Sequence, residues 1–141
     1  KVVIGNSSVG IIGGYAAWSN YSDKRLKENI IYKSDLGLDF ISRLKTVSYN
    51  YKDDKNKRRR DGLIAQDVQQ VLDELGLEFS GLIIDDDDMK TMNVSYSDLV
   101  IPLINAVQEL KAQNDALKER NESFEARIEK LESIFNLQTS K

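Results

Sequence analysis

Ser22 and Lys27, at the two ends of the segment SDKRLK, are the candidate reactive side chains of this chain. A serine hydroxyl beside a neutral lysine amine forms a nucleophile–base pair, and burial or a neighbouring cation favours the neutral amine. Arg25 is the nearest candidate for that cation. The 141-residue chain has no His and no Cys. Proton transfer must therefore use Lys, Asp, Glu or Tyr, and imidazole and thiolate chemistry are excluded.

The spacing of Ser22 and Lys27 does not suit a regular helix. Residues five apart are separated by about 140° around an α-helix of 3.6 residues per turn. The two side chains must therefore meet across a bend, or the lysine must come from a neighbouring subunit. On spacing alone, the segment is more typical of a solvated charged turn with a capping serine.

Composition excludes several classes of protein. The net charge is −3 with the signs interspersed, which does not favour nucleic-acid binding. No run of about 18 apolar residues occurs, so we expect no membrane span. The start of the chain lacks the apolar core of a signal peptide. Because the first residue is not Met, we expect a fragment of a longer protein.

The first region, residues 1–21, is rich in glycine. It contains four of the eight glycines and the only tryptophan: Gly5, Gly10, Gly13, Gly14 and Trp18. Short β-prone runs at 2–4 and 11–12 predict strands joined by tight turns. Two such strands bury little surface alone, so this region should depend on neighbours.

The second region, residues 22–97, has the pattern of a small α+β domain. Apolar spacing predicts a short helix over 36–45 and another through 68–75, which Gly76 should end. An alternating strand at 46–51 and a return strand at 62–65 should flank a charged turn over 52–61. Two more strands are predicted at 82–84 and 90–96, around an acidic turn.

The third region, residues 98–138, carries a heptad pattern of about five repeats. Ser97 is the predicted N-cap with Asp98 in the first turn, and Pro102 should kink the helix or delay its start. Asn114 and Asn121 interrupt one heptad slot. The predicted core of the coiled coil is Leu103, Val107, Leu110, Asn114, Leu117, Asn121, Phe124, Ile128 and Leu131, continuous with Val100 and Phe135 at the two ends.

This seam predicts self-association, because so narrow an apolar stripe would not be buried against its own domain. The pairs Arg120 with Glu125 and Arg127 with Glu132 have the spacing of interhelical contacts in a parallel arrangement. The core residues do not separate two, three and four strands. The alternative is a long amphipathic helix that packs on a partner protein.

Four segments occur together in one order: SDKRLKENI, a short helix leading into VSYNY, GLIAQDV, and VSYSDLVIPLINAVQEL before the heptads. Over about residues 19–131 they resemble the intramolecular chaperone autoprocessing domain, also called the peptidase S74 domain. This family occurs at the C-termini of phage endosialidases, neck appendages and tail fibres, and in the myelin regulatory factor. Residues 1–18 lie outside the resemblance and are similar to the β-rich end of a fibre.

The resemblance implies a homotrimer that assists folding of the preceding fibre region of the same chain and then cuts itself off. Residues 1–21 would be the C-terminal end of the β-rich fibre, 22–97 the chaperone and autoprotease domain, and 98–138 the trimeric coiled coil. Assembly would occur in the host cytoplasm, the fibre would join the virion tail, and the chaperone would be released. No cofactor, metal, membrane or nucleic acid is expected.

The resemblance also implies that Ser22 is the nucleophile, that Lys27 assists it and that cleavage occurs at Ser22. The hydroxyl can reach the preceding carbonyl through a five-membered ring, which favours the Tyr21–Ser22 bond; the Ser22–Asp23 bond stays open. Candidates for positioning the bond or stabilising an oxyanion are Asn20, Asp23, Arg25 and Gln66. Gln66 could equally serve only to start its helix.

Two charged clusters and three rival functions complete the sequence predictions. The acidic run at 85–88 lacks the spaced ligands of a Ca²⁺ loop, so a solvated turn is favoured. The basic run at 55–60 is better explained as a hairpin tip than as a phosphate site. The rival functions are a permanent trimerisation module without protease activity, a segment of a membrane-bound transcription factor, and a hydrolase for external substrates.

Overall fold

The computed structural model describes residues 4–5, 9, 12–32 and 35–139, and the side chains of the last helix as far as residue 136. The elements are a 3-10 turn (Lys24–Leu26), α1 (Leu38–Arg43), β1 (Thr46–Tyr49), β2 (Arg60–Leu63), α2 (Ala65–Leu75), β3 (Leu82–Ile84), β4 (Met92–Val94), a second 3-10 turn (Tyr96–Leu99) and α3 (Val100–Thr139). This is a small mixed α+β domain with a 40-residue C-terminal helix, as predicted.

The glycine-rich start of the chain is described only in part. The strand predicted at 2–4 and the one at 11–12 fall mostly outside the described residues, and so does Gly10. Where this region is described, at 4–5, 9 and 12–21, no residue belongs to a strand.

The four strands form two separate antiparallel hairpins. In the first, Thr46 pairs with Leu63 and Tyr49 with Arg60; in the second, residues 82–84 pair with 92–94. The predicted strands are confirmed in type, with shifted ends. The return strand predicted at 62–65 lies at 60–63, because Ala65 already begins α2. Two-stranded sheets are marginal alone, so both hairpins need outside contacts. The second lies against α2, and the first is held through Leu63, which packs against the core and donates its N–H to the Tyr96 hydroxyl.

The core lies between the two short helices and the start of α3. It consists of Phe40, Val68, Val71, Leu72, Phe79 and Leu99. The helices predicted over 36–45 and 68–75 are confirmed as α1 and α2. The second ends at Gly76, whose φ of 65° and ψ of 34° place it in the left-handed conformation that closes a helix. Each fully buried core side chain stabilises the fold by about 1.5–3 kcal/mol.

The predicted N-cap of the long helix is wrong by several residues. Ser97 lies inside the second 3-10 turn, which follows Ser95, and α3 begins only at Val100. Pro102 therefore occupies the first turn of α3, where its missing N–H has no helical acceptor to lose. Its ring is fully buried. Packing of this ring against the domain, combined with the tolerance of a first turn for proline, explains the late start.

Three polar contacts attach the base of α3 to the domain. The Asn105 side-chain amide donates to the Leu36 carbonyl (2.8 Å), and Glu109 Oε2 accepts from the Leu38 backbone N–H (3.0 Å) at the start of α1. Just before α3, the Tyr96 hydroxyl accepts from the backbone N–H of Leu63 (2.7 Å). From residue 107 to 136 every side chain of α3 is exposed. The helix is therefore docked at its base and projects beyond it.

Candidate functional site

Ser22 and Lys27 lie next to each other within one chain. The Lys27 amino group donates a hydrogen bond to Ser22 Oγ, with 2.9 Å between Nζ and Oγ. The bend that joins them is the 3-10 turn at Lys24–Leu26, closed by backbone hydrogen bonds from Leu26 N to Asp23 O (3.0 Å) and from Lys27 N to Lys24 O (3.1 Å). Ser22 precedes the N-cap Asp23 and Lys27 is the C-cap, so the turn bends the chain between them and the two side chains meet across it.

Asp23 and Arg25 hold this turn in shape. The Asp23 carboxylate accepts from the Arg25 backbone N–H (2.9 Å) and caps the turn. It also accepts from Arg25 Nε (3.1 Å to each oxygen) and Nη2 (2.6 Å). These hydrogen bonds lower the pKa of Asp23 and raise the pKa of Arg25. The positive charge of Arg25, expected to act on Lys27, is therefore compensated by Asp23, and the pair is placed to shape the turn.

The pair is open to solvent in a single chain. Residues 21–32 are all exposed, and the Tyr21 side chain before the serine is 93% exposed. A lysine serves as a base only when its amine is neutral, and burial is one of the two ways to favour that form. The single chain brings Ser22 and Lys27 into contact but encloses neither side chain.

The other two candidate support residues are not brought to the pair. Within the described part of the chain, neither Asn20 nor Gln66 hydrogen-bonds to Ser22 or Lys27. Gln66 is exposed in the first turn of α2. That position agrees with its alternative role of starting the helix.

The heptad residues form a continuous open stripe on α3. The apolar ones from Leu103 to Leu131 are between 42% and 66% exposed, the extremes being Phe124 and Leu131. Asn114 and Asn121 are exposed in the same stripe. The domain instead contacts one flank of the helix base, through Pro102 and Ala106. Nothing in the described chain covers the stripe, and its pairing with other chains stays a prediction.

The two charged clusters act as turns. In the acidic run, the Asp87 carboxylate accepts from the Thr91 backbone N–H (2.7 Å) and hydroxyl (2.6 Å), and Asp85 accepts from the Asn93 amide (3.0 Å), which closes the β3–β4 hairpin. In the basic run, Arg59 Nε donates to Ser48 Oγ (2.7 Å) across the first hairpin. Among the described residues, no three His, Cys, Asp or Glu side chains are grouped to hold a metal ion.

A pair of tyrosines on β1 and just after it has an unusual titration. The hydroxyls of Tyr49 and Tyr51 are 3.4 Å apart and their rings meet edge to face. The hydrogen bond to Tyr51, followed by partial burial, raises the pKa of Tyr49 to about 12. This pair belongs to the hairpin and is not part of the Ser22–Lys27 site.

The contacts at the base of α3 were not predicted from the sequence. Asn105 and Glu109 cap and anchor α1, and Tyr96 fills the space over Gly62, where a Cβ would clash with its hydroxyl. A signal was present: Asn105 is the only polar residue in the run VIPLINA at 100–106. An isolated amide in an apolar turn indicates a specific hydrogen-bond partner.

No helix in the described residues is long and apolar enough to cross a membrane. A search of curated proteins found no match. A solved structure described as a novel intramolecular chaperon shares 20% identity with a TM-score of 0.42, over 70% of this chain and 99% of that one. Residues 22–77, from Ser22 through the first hairpin to just beyond α2, match the family model of the chaperone of endosialidase. These residues therefore form a segment of the peptidase S74 type, the chaperone of endosialidase.

Proposed function

We propose that this chain is a C-terminal intramolecular chaperone that trimerises, assists the folding of a preceding phage tail fibre or spike, and then releases itself by cleavage at Ser22. The observation that carries the proposal is the 2.9 Å contact between Lys27 Nζ and Ser22 Oγ, at the first residues of the family match. The open seam of α3 supports the trimeric part of the proposal.

The chemistry follows from the two side chains. Neutral Lys27 removes the proton from the Ser22 hydroxyl, and Oγ attacks the Tyr21 carbonyl carbon through a five-membered ring. The C–N bond of Tyr21–Ser22 breaks, the Ser22 nitrogen takes up a proton as a free amine, and Tyr21 is left as an ester on Oγ. Water hydrolyses the ester to the Tyr21 carboxylate and the Ser22 hydroxyl. Since the chain cuts its own bond, each molecule turns over once.

The role of the trimer is to bring three fibre ends together. Non-local strand pairing between chains is slow and prone to misassembly. Three parallel α3 helices raise the effective concentration of those ends and set a common register. After the fibre has folded, removal of the chaperone removes the easiest route to unfolding, so the fibre is held by kinetic stability. Assembly in the host cytoplasm and release of the chaperone belong to this proposal.

The second candidate is a permanent trimerisation module that does not cleave. It is favoured by the exposure of Ser22 and Lys27, because a solvated pair lacks the burial that supports a neutral base. The two candidates differ in one observable, which is the intact mass of the purified protein.

The test is Ser22→Ala beside the matched control Ser19→Ala, which makes the same change three residues upstream. The parent and the control should yield two fragments, the larger beginning at Ser22 if the favoured bond is cut, and Ser22→Ala should stay whole. All three should sediment as trimers of a 16.0 kDa chain before processing. Cleavage of Ser22→Ala at the same bond would exclude Ser22 as the nucleophile, and an uncut parent would favour the permanent module.

A further inference from the structure

The base of α3 is apolar on almost every side. Residues 100–106 read VIPLINA, in which only Asn105 is polar. A helix that is apolar all round is normally buried all round. In one chain, however, only part of this surface is covered, so the base of α3 needs a further contact that the domain of the same chain does not provide.

The covered and uncovered residues lie on opposite flanks of the seam. Leu99, Pro102 and Ala106 are buried against the chain's own domain, at heptad positions g, c and g when Val100 is position a. Ile101 and Ile104 occupy positions b and e and are 59% and 48% exposed. At about 100° per residue, b and e lie on one side of the a/d seam, and g and c lie on the other.

In a parallel coiled coil, the e flank of each helix faces the g flank of the next one. The g flank at the base of α3 is where each chain's own domain is docked. We propose that Ile101 and Ile104 are an interface that packs against the globular domain, residues 36–99, of the neighbouring subunit. This inference rests on the proposed parallel trimer and adds a second, domain-to-helix contact to it.

The next heptads argue for the neighbour's domain as the occupant. One repeat further along, positions b and e are Gln108 and Lys111, and after that Asp115 and Lys118. All four are exposed. The change from apolar to polar occurs where the docking of the domain ends, at Glu109. A continuous helical partner would need an apolar flank along the whole of α3, whereas a domain at the base needs it only there.

A contact of this kind would hold every domain between two helices and close the three domains into a ring. Asn105 binds the Leu36 carbonyl, and Leu36 is nine residues after Lys27. The ring would therefore set the positions from which the three Ser22 segments extend toward the fibre. Helix association and the placement of the cleavage segments would then be one event.

The test uses the absence of cysteine from the chain. The full chain carrying Ile104→Cys is labelled at that cysteine with a benzophenone maleimide. It is mixed with ¹⁵N-labelled chain that carries the same change, and the mixture is reassembled into oligomers and irradiated. Lys118→Cys is the matched control, because it occupies the same heptad position about 21 Å further along the helix at 1.5 Å per residue. Mixed-isotope cross-linked peptides identify contacts between chains.

The expected result is a cross-link from position 104 to residues 36–99 of a different chain. The Lys118→Cys control should give no cross-link to those residues. A second measurement is the unfolding midpoint of the double variant Ile101→Ala/Ile104→Ala. The double substitution should lower the midpoint of the trimer. In a Leu117→Asp monomer the same pair should lower the midpoint much less, because about half of each side chain is already exposed there. Cross-links confined to one chain, or equal effects of the pair in trimer and monomer, would overturn the contact while leaving the trimer intact. A parent chain that sediments as a monomer would instead overturn the proposed function, and this contact with it.

Discussion

Leu117→Asp should produce a monomer that does not cleave itself. Leu117 lies in the middle of the seam and is 57% exposed in a single chain. Complete burial of a leucine stabilises by about 1.5–3 kcal/mol, so covering its exposed part in a trimer contributes about 1–2 kcal/mol per chain. Three chains together lose roughly 3–5 kcal/mol of this burial free energy. About 1.4 kcal/mol corresponds to a factor of ten in the association constant. Association should therefore weaken by at least about 100-fold, and further because three unpaired carboxylates would be buried together.

The domain itself should survive this change. The last contact of α3 with the domain is at Glu109, and Leu117 lies eight residues beyond it, about 12 Å along the helix. The core around Phe40 and Val68 contains no residue of the seam. Ala112→Asp is the matched control: it introduces the same side chain on the outer face of the helix and should leave the trimer intact.

The assay has two readouts on the same samples. Sedimentation equilibrium at micromolar concentration reports the assembly state, and intact mass reports cleavage. We expect Leu117→Asp to be monomeric and whole, and Ala112→Asp to be trimeric and cut. The physical reason is that Ser22 and Lys27 are in contact but exposed in one chain, so that we expect assembly to supply the burial that favours a neutral lysine. Efficient cleavage by a verified Leu117→Asp monomer would refute assembly gating, and a trimeric Leu117→Asp would refute the seam.

Three further changes test other parts of the structure. Lys27→Arg and Lys27→Ala should both remain uncut, because a guanidinium stays protonated and cannot act as a base. If intact mass shows normal cleavage of the Arg variant, position 27 supplies charge and not proton transfer. Glu109→Ala removes the acceptor of the Leu38 N–H and should cost about 1 kcal/mol in urea unfolding, whereas an unchanged midpoint would show that the contact does not anchor α1. Difference absorbance at 295 nm, with Tyr49→Phe as the reference, reports the ionisation of the Tyr49 phenol. The pKa of Tyr49 should be about 12 in the parent chain, and it should fall toward its ordinary value of about 10 in Tyr51→Phe. Since the folded-state pKa of Tyr49 is the higher one, the unfolded chain loses this proton first, and stability should fall as the pH rises from about 10 through 12; titration near 10 in the parent would contradict this.

Much of the fold could be predicted because its signals are local. The β-rich alternation at 46–49 and the apolar spacing of Val68, Val71 and Leu72 indicate a strand and a helix by periodicity alone, and both are present. Gly76 ends α2 because a left-handed residue is needed there, and glycine is the residue that adopts it without strain. The ends of elements were predicted less well. Ser97 was expected to cap the long helix, but packing of Pro102 and Leu99 against the domain favours a 3-10 turn first.

The candidate site, like the fold, could be predicted only in part from the sequence. The resemblance to the peptidase S74 family indicated Ser22 and Lys27 as the reactive pair, and the absence of His and Cys excluded any imidazole or thiolate base. Their spacing left two arrangements open, in one chain or between chains, and the 3-10 turn places them together in one chain at 2.9 Å. The sequence offered Arg25 as the cation beside the lysine, but the structure pairs it with Asp23, because an ion pair two residues apart closes the turn directly.

The sequence alone indicated candidate reactive residues and the type of most helices and strands, and it predicts a partner for the stripe from Val100 to Phe135. Which flank of α3 meets the domain, and which flank is left open, is known only from the three-dimensional fold. That choice depends on hydrogen bonds between residues 71, 69 and 33 positions apart, made by Glu109, Asn105 and Tyr96. Heptad periodicity describes one helix and carries no information about such distant pairs, since the same pattern would result whichever flank the domain occupied.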